Sequence, residues 1–124
     1  MALILKGVDD PQKLYDAIFA AARSQETGEG ATLQTWSVVT RTHEGKEVPC
    51  LIHIGNDKKD SQWEEAGAFR GKPDVANGEL DFYWHGGKGE KYGYIHGRLL
   101  EQLAAHYGDR FKWIEYKDKR PSLP

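Results

Sequence analysis

The residues best suited to chemistry lie in one short stretch, positions 84–98, which reads WHGGKGEKYGYIHGR. It holds five glycines, two histidines, three cationic residues and three aromatic residues, between a predicted strand and a predicted helix. Glycines let a backbone turn sharply, while histidines and cations can bind anions or move protons. This stretch is therefore the first candidate site, although no motif in the chain fixes a substrate.

An anion site is one interpretation of this stretch. Its glycines can present backbone N–H groups to a ligand, and the start of the following helix carries partial positive charge. The spacing matches neither the phosphate loop of nucleotide hydrolases nor the dinucleotide fingerprint, so a glycine-rich linker with solvated lysines is the alternative. The predicted anion-binding residues are Gly87, Lys88, Gly89, Lys91, Gly93 and Arg98.

Catalysis by a histidine pair is a second interpretation. His85 ends the predicted strand and His96 lies near the start of the next helix, so the two could meet at one edge of the sheet. Near neutral pH one imidazole can accept a proton while the other donates one, which suits phosphodiester cleavage without a metal. The alternative is an ordinary strand histidine and an ordinary helix histidine. No metal site is predicted, because only Asp81 offers a third ligand and the HExxH pattern is missing.

Three aromatic residues are candidates for contact with a partner. Tyr92 and Tyr94 lie among the cations, where their rings could stack on bases or pack against a protein. Trp63 is predicted on a short polar helix, where an exposed indole could anchor a partner. Packing in the core is the alternative for Trp63.

The composition is that of a folded chain of ordinary size. The 124 residues allow one domain, and 39% hydrophobic with 29% charged residues is typical of a globular protein. We expect a single domain over residues 1–124, with a frayed tail at 117–124. The formal net charge of −2 disfavours double-stranded DNA as a partner.

Cysteine content and hydropathy bear on location. The single cysteine, Cys50, excludes an intramolecular disulfide, and the start of the chain lacks a signal-peptide pattern. No apolar run is long enough to span a bilayer, so no membrane partner is expected. These features predict a reducing, cytoplasmic setting. Cys50 lies among apolar neighbours and is interpreted as a small core residue.

The spacing of apolar residues predicts alternating strands and helices. Strands are expected at 2–6, 33–42, 48–54, 79–85 and 111–116, with longer helices at about 11–24 and 94–107. Residues 56–78 are expected to form an irregular excursion with a short helix at 61–69. The predicted fold is a two-layer α+β sandwich, in which a mainly antiparallel sheet of about five strands carries both longer helices on one face.

Two classes of function fit these features. The first is a small cytosolic binding or interaction protein, of an inhibitor, immunity or accessory type, that uses the glycine-rich cationic edge to contact another protein or a small anionic ligand. The second is a metal-independent phosphodiesterase or ribonuclease that uses the histidine pair. The first ranks higher because it requires no catalytic constellation. No cofactor is expected, and the sequence does not indicate an oligomeric state.

Overall fold

A six-stranded sheet with two helices forms the part of the chain that the structure describes. The structure is a computed structural model that describes residues 2–27, 33, 35–53, 68–85 and 92–117. The elements are β1 (Ala2–Lys6), α1 (Pro11–Thr27), β2 (Trp36–His43), β3 (Lys46–His53), β4 (Ala68–Asp74), β5 (Glu79–His85), α2 (Tyr92–Tyr107) and β6 (Trp113–Lys117).

The strands are ordered β2-β3-β4-β5-β1-β6, and every neighbouring pair is antiparallel. β1, the first strand in the sequence, lies between β5 and β6, so it joins the meander of β2 to β5 to the last strand. Its side chains are almost all buried. The predicted α+β class and antiparallel sheet are therefore confirmed, with one strand more than expected.

Helix α1 begins where the sequence predicts. The Asp10 carboxylate accepts a hydrogen bond of 3.1 Å from the backbone N–H of Lys13, which is the contact of an N-cap residue. Pro11 occupies the first helical position, where its missing N–H costs nothing. The buried side chains Leu14, Ile18 and Phe19 then recur at helical spacing along the face that meets the sheet.

Both helices lie on the same face of the sheet, as predicted. Ile95, Leu99 and Leu103 of α2 are buried in the same core cluster as the apolar face of α1. That cluster also contains residues of one sheet face, which we call the helix-covered face: Leu3, Leu5, Leu51, Phe69, Leu80 and Phe82. Because successive strand residues point to opposite faces, the residues between them belong to the other face.

The segment 68–74 corrects the prediction for residues 56–78. A short helix was expected to end near Phe69, yet Ala68–Asp74 is strand β4, and Phe69 is fully buried in the sheet. Gly71 and Pro73 suggested a break in structure, but each has a place in this strand. The predicted helical positions 61–67 lie outside the described residues.

Gly71 fits β4 because α1 crosses the strand closely at that point. A Cβ atom on Gly71 would lie 2.7 Å from Cε2 of Tyr15 and 3.0 Å from Cε1 of Phe19. Pro73 fits because β3 pairs with β4 only at Phe69 and Arg70, which leaves the rest of β4 as an edge on that side. Proline is tolerated on an edge because no neighbouring strand needs its N–H.

We predict that Gly71→Ala lowers the free energy of unfolding by roughly 1–3 kcal/mol, because the added methyl group overpacks the contact with Tyr15 and Phe19. The matched control is Gly93→Ala in α2, where a Cβ atom would meet nothing within 4 Å. The control should gain roughly 0.5–1 kcal/mol, because alanine favours the helix over glycine. Chemical denaturation measures both values, and equal stability of the Gly71 variant and the parent would contradict the close contact.

Candidate functional site

Much of the predicted cationic edge lies outside the described residues. This holds for Gly87, Lys88, Gly89 and Lys91, and for Trp63. Tyr92 is described only as the first residue of α2. The predicted anion site at this edge and the predicted contact through Trp63 therefore stay predictions.

Three other predicted site residues lie on α2. Gly93 and Tyr94 are exposed in its first turn, and the ring of Tyr94 lies edge-on to His53, with 5.9 Å between the centroids. Arg98 donates a hydrogen bond of 3.1 Å from Nη1 to Oε2 of Glu101, one turn further along the helix. The positive charge of Arg98 therefore has an acidic neighbour on its own helix.

His85 and His96 do not come together. His96 is 7% exposed and packs on the helix-covered face, with its ring centroid 4.8 Å from those of both Phe69 and Trp84. His85 follows Trp84 in β5, so its side chain points to the opposite face. The sheet separates the two imidazoles, and the expected meeting at one edge is wrong.

A different histidine contacts His85. Nδ1 of His43 lies 3.1 Å from Nε2 of His85, and the ring centroids are 5.1 Å apart. His43 ends β2, beside a two-residue turn in which Glu44 and Gly45 both have positive φ. Such a turn is typical of a tight hairpin. The sequence placed His43 in a turn and gave it no role.

The contact between His43 and His85 requires the hairpin to bend. The register pairs Cys50 with Arg70, so in a flat sheet the hairpin tip would lie beside the β4–β5 turn, near Glu79. Glu79 is six residues from His85, which is about 20 Å along an extended strand. Because His43 nevertheless reaches His85, residues 39–49, which we call the arm, curve over the face that carries His85.

Pro49 marks the place where the arm leaves the sheet. β3 pairs with β4 from Cys50 onward, and proline at the preceding position has no N–H for a neighbouring strand. On the inner side of the arm, Val39 and Val48 pack against a small buried cluster of Cys50, Ile52 and Ala68. The arm therefore curves over this side of the strands, and we call the side of the sheet that it covers the concave face.

The concave face collects charged and aromatic side chains. Alternation along β2, β4 and β5 places Arg41, Arg70 and Tyr83 on the same side as the two imidazoles. The guanidinium carbon of Arg70 lies 5.1 Å from the centre of the Tyr83 ring. The Tyr83 hydroxyl donates a hydrogen bond of 3.0 Å to Oδ2 of Asp81. The concave face thus carries two guanidinium groups, two imidazoles and a phenol.

The surroundings shift the titration of these groups in consistent directions. Burial lowers the pKa of the His85 imidazole, and the charges of His43, Arg70 and Arg41 lower it further. Burial raises the pKa of the Asp81 carboxyl group, against the effect of its hydrogen bond from Tyr83. Asp81 is only 8% exposed, so it is not the solvated residue that strand alternation suggested. Burial is the largest cause of both shifts. Positive neighbours add to it at His85, while the carboxylates of Glu79 and Asp74 add to it at Asp81.

The imidazole contact restricts the protonation of the pair. A hydrogen bond between two ring nitrogens needs an N–H on one and a lone pair on the other, so at least one imidazole is neutral while the bond exists. Two imidazoles bonded directly to each other do not flank a substrate, as an acid and a base on either side of a phosphodiester would. In this arrangement the hydrogen-bonded pair connects the arm to β5 of the sheet.

A small cavity of about 190 Å³ lies on the other side of the sheet, between α2 and β6. His96 and Tyr116 line it together with Leu3, Leu100 and Ile114. Its walls are mainly apolar and include no charged side chain. This cavity therefore has a different chemical character from the concave face.

Two further features are absent from the described part of the chain. No group of three or more His, Cys, Asp or Glu side chains there is placed to hold a metal ion. None of the described helices combines the length and the apolar character needed to cross a bilayer.

No protein-family model, curated protein or solved structure matches this chain.

We predict that acid weakens the fold through His85. Because folding lowers the pKa of this imidazole, the unfolded chain binds its proton more readily. The contribution of His85 to stability is therefore complete above the unfolded pKa of about 6.5 and is lost as the pH falls below that value. Urea denaturation between pH 8 and 5 should show this loss, and His85→Gln should reduce the slope. His106→Gln, which removes an exposed imidazole from α2, is the control; an unchanged slope in His85→Gln would contradict the assignment.

We also predict that Cys50 is unreactive in the folded protein. The thiol is fully buried, and burial raises its pKa, which disfavours the nucleophilic thiolate. Iodoacetamide at neutral pH should label the protein slowly in the native state and quickly in denaturant. Labelling of the native protein at the rate of a free cysteine would contradict this prediction and would show that the reagent reaches Cys50 beneath the arm.

Proposed function

We propose that this protein is a binding protein for a small phosphate-bearing anion, and that the ligand sits on the concave face. The observation that carries the proposal is the state of Arg70. Its guanidinium is partly buried on the concave face, and its Nε is fully buried. Within the described part of the chain, this Nε has no hydrogen-bond acceptor.

A buried donor without an acceptor is unfavourable. Leaving such a group unsatisfied costs about 1–3 kcal/mol, and more when the group is charged. The Tyr83 ring beneath the guanidinium gives a cation–π contact, but a ring face does not replace an acceptor for Nε. An anion bound against Arg70 would supply both the negative charge and the acceptor oxygens.

The chemistry of the neighbouring groups favours a phosphate. Guanidinium presents paired N–H donors in a plane, which match two oxygens of a phosphate group. The imidazoles of His43 and His85 add ring nitrogens, and the charge of Arg41 also acts at His85. Asp81, a carboxylate on this face, accepts a hydrogen bond from the hydroxyl of Tyr83.

This function belongs to the binding-protein class that the sequence favoured. Its proposed site is the concave face, whereas the sequence indicated the glycine-rich cationic edge. An inhibitor, immunity or accessory role toward another protein remains a prediction, as does a cytoplasmic location. The second candidate function is a phosphodiesterase that uses a histidine pair, and this pair would now have to be His43 and His85.

The proposal predicts that inorganic phosphate and pyrophosphate bind, with shifts of the amide resonances of Arg70, Tyr83 and His85 in a titration followed by NMR. Arg70→Gln should weaken binding about tenfold or more, because it removes a charged hydrogen-bonding group. The matched control is Arg23→Gln, which removes an exposed arginine from α1. Loss of affinity in both variants would indicate unspecific attraction, and equal affinity of Arg70→Gln and the parent would overturn the site.

A further inference from the structure

We propose that the imidazoles of His43 and His85 are donors to the bound anion, and that binding therefore takes up a proton from solution. This inference rests on the proposed function, because it concerns the same concave face. The two histidines would then recognise the anion, in addition to contacting each other in the free protein. This role also predicts how the affinity of the site depends on pH.

The contact between the two imidazoles holds a limited number of N–H groups. Nδ1 of His43 and Nε2 of His85 lie 3.1 Å apart, so between them they hold one N–H and one lone pair. That single donor is used within the pair. An anion oxygen placed against both facing nitrogens needs an N–H on each of them. The nitrogen that acted as acceptor must therefore gain an N–H when the anion replaces the direct bond. A neutral ring can supply this N–H by moving its own proton from the other ring nitrogen, whereas a proton from solution makes the ring an imidazolium, the form that a doubly charged anion favours.

The charges around the pair work in the same direction. Without a ligand, Arg41 on β2 and Arg70 on β4 disfavour a further positive charge at His85. Lys46 lies opposite His43 across the hairpin. A doubly charged anion reverses the balance, because it offsets the charge of Arg70 and leaves negative charge for the imidazoles.

Among the residues that the structure describes, few groups of the opposite sign lie near the pair. Glu44, in the hairpin turn, has a carboxylate oxygen 3.8 Å from Nε2 of His43 and is largely exposed to solvent. On β5, Asp81 is engaged with the hydroxyl of Tyr83, and on β4 Lys72 lies opposite Asp81 in the register. Cys50 of β3 is a buried thiol whose pKa is raised. None of these supplies a full negative charge between the two rings, so the anion would be the group that stabilises the added proton.

Sulfate is the probe for the test, because it is tetrahedral and doubly charged and, unlike phosphate, does not exchange protons near neutral pH. Titration calorimetry at pH 7.5 in two buffers of different ionisation enthalpy gives the number of protons taken up per sulfate. We expect about one proton, and an affinity that rises by about tenfold for each unit of pH lowered from 8 toward 7, as linkage requires for one proton.

Two variants and a control test the assignment to these residues. His43→Gln and His85→Gln each remove one imidazole but keep a hydrogen-bonding group, so each should reduce the uptake to well below one proton. His106→Gln should retain the uptake of the parent. Circular dichroism checks that each variant is folded.

The outcomes separate the two proposals. Sulfate binding that requires Arg70 but neither depends on pH nor takes up protons would overturn the inference and leave the anion site standing. Uptake that persists in both histidine variants would also overturn it. If neither sulfate nor phosphate binds between pH 8 and 6, the proposed function fails and this inference fails with it.

Discussion

The structure depends on one constraint: both described helices pack on the same face of the sheet. Strand residues alternate between faces, so this packing divides each strand into a buried apolar set and a second set. On β5, for example, Leu80 and Phe82 belong to the core, while Asp81 and Tyr83 face the other way. Polar groups from separate strands therefore gather on the face without these helices, which is where the concave face forms.

The bend of the arm then decides which of these groups meet. Alternation alone would leave His43 and His85 far apart on one broad surface. Two features of β3 change this, since its pairing with β4 begins only at Cys50 and a proline precedes that residue. The hairpin can curve where it lacks a neighbouring strand. The site is therefore a consequence of an interruption in strand pairing as much as of the side chains themselves.

The sequence predicts the elements with strong local patterns. Alternation defines β5 from Glu79 to His85, and the Asp10–Pro11 pair marks the start of α1. Strand β4 was not predicted, because glycine and proline, here Gly71 and Pro73, usually interrupt a strand. Each is accommodated by a contact that is distant in sequence: α1 crosses over Gly71, and β3 is unpaired beside Pro73.

The candidate site was harder to predict than the fold, for related reasons. Arg70 could not be placed while its strand was unknown. His43 lies at a hairpin end, and no local pattern reports that a hairpin bends across a sheet. His96 was paired with His85 because strand end and helix start share an edge, but the apolar stripe of α2 turns His96 toward Phe69. The alternation of side chains along β2 does place Arg41 and His43 on one face. This is the part of the candidate site that can be predicted from the sequence.

The short junction between β3 and β4 also has a consequence for the distribution of stability in the molecule. This junction has two residue pairs in register, whereas β4 and β5 share seven. The base of the hairpin is held in the main core by Trp36 and Leu51, whereas the arm packs through Val39 and Val48 against the smaller buried cluster. Segments with few buried contacts open locally at a smaller free-energy cost than the core. Amide hydrogens of the arm should therefore exchange by sub-global opening, while those of β1 and β5 exchange only when the whole sheet unfolds.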